Sequence, residues 1–542
     1  MSEVAFEPPS VVAIQRWLDR ARRTRSLAQR AQTVYTAIVV GGIFGVLLYG
    51  TASSALADVI SVRSVGRWGP SLMLVGFVAA GFWGAVQGPV VLSAADVAHL
   101  LSAPLSRAEL VARPLRRALS IGAGVGVIVA GVLLVGLTGR GRDVALARTF
   151  GAVAGIGLAG VVCVALAWMV SISARAERWL RLVRWPAVAV AGGLVLGAVL
   201  GGRVGRTVAL WSGPWGWTIS AGGSGSGWIV RLVCAAVATF VVIVVAWRRR
   251  GVGETERFAR RAEGRAHLQA SLMDLDVRTG RRDLLDVSGF VVGRGPGWGV
   301  RLSGWVRPRL ASVGARRSGG RRVASLAVVW RDVATAARFP ARVAESVVLA
   351  AGGAALVLLD VARPVAVVAG ALLIYAAGAW LLEPMRIELD TPSRPQVFLG
   401  VRPGRALLAH TVLPALVVFC SVALCAVVLA LAGVLAADEL SAALALVAGA
   451  PAVAGCAGMS ARRGGRLPQE VLVAAVTSDP SGGGLVLLGW LLLWPAAASA
   501  IIYVPVHAIT VSSSVGHAVV SAGIGLVAVV VIALLQGRDP TP

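Results

Sequence analysis

Twelve long apolar stretches constrain this chain more than any other feature. They cover residues 34–56, 70–92, 118–138, 150–172, 185–200, 228–247, 343–359, 364–382, 407–435, 442–459, 485–506 and 515–536. A bilayer core takes about 20 consecutive apolar residues of helix. Most of the stretches reach that length; the fifth and seventh are the shortest, and the ninth is long enough to tilt or break, with Pro414 inside it. The expected fold is an all-α polytopic integral membrane protein of about twelve transmembrane helices, arranged as two six-helix halves. Composition agrees. The chain is 57% hydrophobic and only 14% charged, whereas soluble domains carry about a quarter charged residues. A water-soluble multidomain protein is excluded.

Orientation follows from arginine. All 52 basic residues are Arg, for a formal charge of +26. If the twelve stretches alternate from a cytoplasmic N-terminus, 43 of the 52 Arg fall on the cytoplasmic side. Long loops obey the positive-inside rule poorly, but with the central segment set aside the ratio is still 22 to 9. Both termini are therefore expected inside. Ala55, Leu56 and Ala57 before Asp58 look like a signal-peptidase site, but the apolar run and the Arg-rich arm ahead of them are too long for a signal peptide, which favours a retained first span.

The organisation read from this pattern is a cytoplasmic amphipathic arm (1–33), a first six-span half (34–247), a basic cytoplasmic linker with an interface helix (248–342), a second six-span half (343–536) and a short tail (537–542). The linker carries 21 Arg and 8 acidic residues. Within it, 254–285 reads as helix, with Leu268, Leu272 and Leu275 on one stripe. The approaches to the first and seventh spans match at a constant offset: Trp17, Asp19 and Arg25 against Trp330, Asp332 and Arg338. Both are amphipathic and Arg-rich, which suits helices lying in the interface, and the match points to an internal repeat.

Chemistry-bearing motifs are few. The chain has no Lys, so it cannot carry a standard Walker A loop, and no Asn, hence no N-glycosylation sequon. Cys163, Cys234, Cys420, Cys425 and Cys456 all lie in apolar stretches without a CxxC pair and read as small buried hydrophobes. Trp68, Trp185, Trp211, Trp215, Trp217, Trp228, Trp247 and Trp380 fall at span ends or in short outside loops, as an interfacial belt does. Ionisable groups within spans are Arg231, Glu345, His410 and His517, each near enough to an edge to snorkel outward. The outside acids Asp58, Asp143, Asp360 and the Asp438–Glu439 pair do not converge on one site. No catalytic, cofactor or metal constellation is visible, so no enzymatic activity is expected. The basic linker has sparse aromatics and sits beside anionic lipid, which accounts for its charge without nucleic acid.

The cytoplasmic loop after the second span reads Leu101-Ser102-Ala103-Pro104-Leu105-Ser106-Arg107, followed by Glu109. The loop after the eighth reads Leu389-Asp390-Thr391-Pro392-Ser393-Arg394. In both, Pro and Ser favour a helix start. The first of these, within residues 96–117, resembles the loop between the second and third spans of bacterial ABC-type export permeases of the six-span kind. The chain also resembles an uncharacterised actinobacterial polytopic membrane family, which implies no activity by itself. The permease resemblance implies a location in the bacterial plasma membrane, a separate ABC ATPase subunit as partner beside membrane lipid, and no cofactor on this chain. It implies that Leu101, Pro104, Arg107, Glu109, Pro392 and Arg394 couple to that ATPase. It also implies a short outside re-entrant segment between the fifth and sixth spans, where 204–227 lies. Most such permeases pair as six-span dimers, whereas this chain would carry both halves. An ion-coupled secondary transporter and a non-transporting scaffold are the other readings that its layout allows.

Overall fold

The computed structural model describes residues 62–90, 92, 94–99, 106–138, 146–220, 227–273, 320–390, 403–462 and 480–511, with scattered positions between 520 and 534; among them all regular structure is helical. Ten of these helices are long and apolar enough to cross a membrane. They correspond one to one with the second to eleventh predicted spans. The first predicted span and all but scattered positions of the twelfth lie outside the described residues, as do Trp17, Asp19 and Arg25. The chain is an all-α, multi-pass membrane protein. It falls into two compact units, one running to Ala270 and the other taking in the chain from Val292.

In the first unit, α1 (Val62–Val86), α3 (Arg107–Thr138), α4 (Leu146–Ile172), α5 (Ala174–Leu200) and α8 (Trp228–Arg248) are the long helices. Short α2 (Ala94–His99) lies in the connection between α1 and α3, and α9 (Thr255–Met273) follows α8. Helix α1 packs on α4 and α5, and α3 and α8 pack on α4. Several of the helices start earlier than hydropathy indicates, α3 and α5 by the most. α5 begins at Ala174, where the Ser173 side chain accepts the Ala176 N–H at 3.3 Å as an N-cap, and α3 begins at Arg107. Arg residues in these first turns end the apolar signal without ending the helix, since Arg is a good helix former and can present its charge to headgroups.

Glycine sets the distance between α3 and α4. A Cβ on Gly160 would stand 2.1 Å from the Gly122 carbonyl oxygen, and one on Gly126 would stand 2.5 Å from that of Ile156. In lipid, apolar side chains gain little by leaving their solvent, so close backbone approach at small residues holds helices together. The Ser71 hydroxyl adds a buried bond from α1 to the Ala191 carbonyl of α5, 2.8 Å.

Between α5 and α8, the segment expected to be re-entrant forms two short helices, α6 (Gly202–Trp211) and α7 (Pro214–Ser220). Helix α7 turns back against α1, α4 and α8, with Gly216, Thr218 and Ser220 buried.

The second unit contains α10 (Gly320–Arg338), α11 (Pro340–Leu359), α12 (Pro364–Leu381), α13 (Glu383–Asp390), α14 (Pro403–Leu431), α15 (Ala437–Arg462) and α16 (Pro480–Val511). Phe339 breaks α10 from α11 in a non-helical conformation ahead of Pro340, the residue before proline being disfavoured in the α region. Helix α12 packs on α15 and α16, and α14 packs on α15, the same neighbour scheme as α1 and α3 in the first unit. Helices α11 and α12 cross at Gly353 and Gly370, each lacking room for a Cβ against the other's carbonyl. One continuous apolar core runs through α11, α12, α14, α15 and α16.

The central segment is not uniform. Its first helix, α9, belongs largely to the first unit and its last, α10, to the second.

Candidate functional site

The densest constellation of functional-type residues lies at the Arg-rich end of the first unit. There α2, the start of α3, the ends of α4 and α8, and α9 share one apolar core: Val97, Leu110, Leu115, Trp168, Ala246 and Phe258 are all buried in it. Trp168 is the largest fully enclosed side chain, and its ring lies 6.2 Å from that of Phe258. Helix α9 is hydrophilic on average, yet Phe258 and Ala262 dock it under the bundle.

Around that core, arginines of α9 close the ends of other helices. Arg261 donates to the Ser171 carbonyl at the end of α4 (2.8 Å) and to the Ala85 carbonyl at the end of α1 (3.2 Å). Arg265 donates to the carbonyls of Gln87 and Gly88, just beyond α1. The last four carbonyls of a helix have no partner within it, and the C-terminus carries partial negative charge. Two guanidiniums from one helix therefore satisfy the ends of two others. Gly88 makes this possible: its φ is +69°, and a Cβ there would stand 3.2 Å from Ser171 and 3.5 Å from the Arg261 guanidinium. Burial, and then the neighbouring Arg257, push the Arg261 guanidinium down to about 10, so it is still a cation at neutral pH. Arg257 bridges Glu177 in the first turn of α5 (3.3 Å) and Glu254 (2.9 Å). The sequence signal for this clamp is Arg257, Arg261 and Arg265 at a spacing of four, one helical face. The stripe read from sequence, Leu268, Leu272 and Leu275, lies beyond the described side chains.

The sequence-predicted coupling residues fare differently. Arg107 opens α3 directly after Ser106, as the Pro–Ser pattern requires; its side chain donates to the Gly253 carbonyl (3.3 Å), tying this loop to the turn before α9. Glu109 stands exposed in the first turn of α3, the favourable end of the dipole for a carboxylate. Leu101, Pro104, Pro392 and Arg394 lie outside the described residues. In the second unit the corresponding helix starts at Pro403. Arg405 stands in the first turn of that helix, as Arg107 does in the first turn of α3.

In the second unit, Trp330 is half-buried and Arg338 exposed, but Asp332 is turned inward. Its carboxylate meets His410 Nδ1 of α14 at 2.6 Å, and Arg331 lies 3.2 Å from His410 Nε2. His410, expected to snorkel, is only 2% exposed, because α10 folds over the start of α14. One Asp332 oxygen is buried without a partner. Of the other groups read within spans, Glu345 accepts from Trp380 Nε1 at 2.8 Å, and His517 lies outside the described residues.

The scattered acids are structural where they are described. Asp360 pairs with Arg363 at 3.3 Å, and Glu439 accepts the Ala436 N–H at 2.7 Å, the reach-back of a capping box. Among the described residues, no group of three or more His, Cys, Asp or Glu stands ready for a metal. An apolar groove of about 510 Å³ between α1, α3 and α4, lined by Met73, Trp83, Ile121, Val125, Ile156 and Cys163 among others, offers no charged or hydroxyl group.

The fold and these ends define a class, a helical multi-pass membrane protein with an arginine-clamped platform at one end. Compared with protein-family models, curated proteins and solved structures, the chain matches none.

Proposed function

We propose that the chain is the membrane-spanning permease subunit of an ATP-driven exporter, resident in the bacterial plasma membrane, with the ATPase on a separate chain. The observation that carries this reading is the recurrence of one neighbour scheme: α1 on α4 and α5 with α3 on α4, then α12 on α15 and α16 with α14 on α15. Two equivalent helical units are what alternating access between pseudo-symmetric halves requires. The platform supports it as well. Because α2, the α3 start and α9 share a core and α9 grips the ends of α1 and α4, a push on the loop ahead of Arg107 reaches several spans at once.

Affinity purification in mild detergent with mass spectrometry tests the reading. A P-loop ATPase is expected at stoichiometric ratio, reduced by Glu109→Arg or Arg405→Glu without loss of thermal stability. Arg107→Glu should weaken association too, and also loosen the Gly253 tie. A preparation without any ATPase, where a control exporter stays assembled, would sink the proposal.

The buried Asp332–His410 pair favours a second reading, an ion-coupled carrier: it sets His410 of the spanning helix α14 against a carboxylate of the neighbouring α10, and ionisable groups in spans mark proton paths. Transport by proteoliposomes driven by a proton gradient without ATP would select it.

A further inference from the structure

Arg231 sits in the first turn of α8, at the end opposite the platform, and is only 7% exposed. Its Nε is buried without a hydrogen-bond partner, and among the described residues its guanidinium makes no ion pair. What it meets is the ring of Trp211, 5.4 Å from the guanidinium carbon to the centroid. Of the other described arginines of this end, Arg67 also lies over a tryptophan, 6.0 Å from the Trp68 centroid, Arg206 donates to the Gly202 carbonyl of its own helix at 3.0 Å, and Arg203 is exposed.

Three terms oppose a lone cation here. It is desolvated, and a buried charge without a partner is costly. It stands at the N-terminal, partially positive end of a 21-residue helix, the wrong end for a cation. And it folds back toward that end: its Nη1 comes within 3.7 Å of where a Cβ on the N-cap residue Gly227 would stand. Gly227 contributes no side-chain cap. The N–H groups of Trp228, Ile229 and Val230 precede the first intrahelical bond, from Arg231 N–H to Gly227 O. An anion at this point relieves all three terms together, and a tetrahedral oxyanion suits a guanidinium beside free helix N–H groups. The flanks are apolar and open: Val208 and Trp211 on α6, Ile229 and Val233 on α8 are all exposed.

We propose that the N-terminal end of α8 binds the phosphate of an anionic amphiphile, gripped by Arg231 and the first-turn N–H groups, with its apolar chain lying along the exposed Val208, Trp211, Ile229 and Val233. The site does not rest on the exporter reading; a carrier or a scaffold would hold the same ligand.

The test uses the full chain, delipidated in an uncharged maltoside detergent, with phosphatidylglycerol titrated by native mass spectrometry and thermal unfolding. One tight, saturable site is expected, weakened at least tenfold by Arg231→Gln and little changed by Arg203→Gln. Inorganic phosphate without effect on lipid binding supports an amphiphile held by both phosphate and chain, and phosphate that displaces the lipid at equal concentration would overturn the amphiphile in favour of a soluble anion. Equal losses in the two variants would reduce the signal to a general basic surface and overturn the proposal. Arg231→Met guards against a folding defect. Without anion it should melt no lower than the parent and gain nothing from phosphatidylglycerol; a lower melting point, or an undiminished gain, would show that Arg231 is a structural group and not a ligand.

Discussion

The two units solve the same packing problem by different means. The second is held by one continuous core of Ala, Val and Leu running through five long helices, from Ala350 to Ile532. The first splits its apolar contacts into separate patches, of which the largest lies at the Arg-rich end rather than mid-span. There it is sealed by guanidiniums on helix-end carbonyls. A bilayer gives little drive for one apolar surface to leave lipid for another. Contact area between long helices therefore comes from small residues, and what side-chain packing does not fix, polar ends must fix. The second unit relies on the first device and buries the Asp332–His410 pair beside it. The first uses both, close glycine contacts between α3 and α4 and guanidiniums at its Arg-rich end.

That contrast can be broken most strongly at Asp332. Asp332→Leu leaves the buried His410 imidazole without its carboxylate acceptor, a loss of about 3 kcal/mol for a buried hydrogen bond to a charged group. Hydrogen exchange should rise in α10 and α14 and stay unchanged in α1 to α9. The double variant with His410→Leu should recover much of the loss. Equal damage in the single and double variants would mean that the pair itself does not hold α10 in place.

A smaller effect tests the shared device. Gly160→Ala and Gly370→Ala each force a Cβ into a carbonyl of the facing helix, at about 1–3 kcal/mol by the usual cost of overpacking. Thermal unfolding in detergent should fall for both. A neutral Gly160→Ala would mean that α3 and α4 slide freely, and that the first unit depends on its clamp alone.

The mildest test addresses the clamp. Gly88→Ala strains a left-handed position, at about 1 kcal/mol, and crowds Arg261. Faster amide exchange is expected at residues 83–88, with no change in the second unit. Exchange as slow as in the parent would show that the guanidinium bonds, and not the turn, secure the end of α1.

The sequence by itself determined the class of fold and where the described spans lie, because long uncharged stretches admit little other than membrane helices. The Pro–Ser pattern ahead of Arg107 favoured a helix start there, although hydropathy began the span only at residue 118. The sequence could not assign the arginines. Arg261, Arg265 and Arg231 look alike in a sequence whose basic residues are all Arg, yet two satisfy helix carbonyls and the third faces a tryptophan ring. Nor could it show that Asp332 meets His410, 78 residues away, or that the partner of Arg107 is a backbone carbonyl. Hydropathy is a property of each segment and is legible residue by residue. The partner of a charge depends on which helix ends the fold brings side by side, and only the tertiary structure decides that.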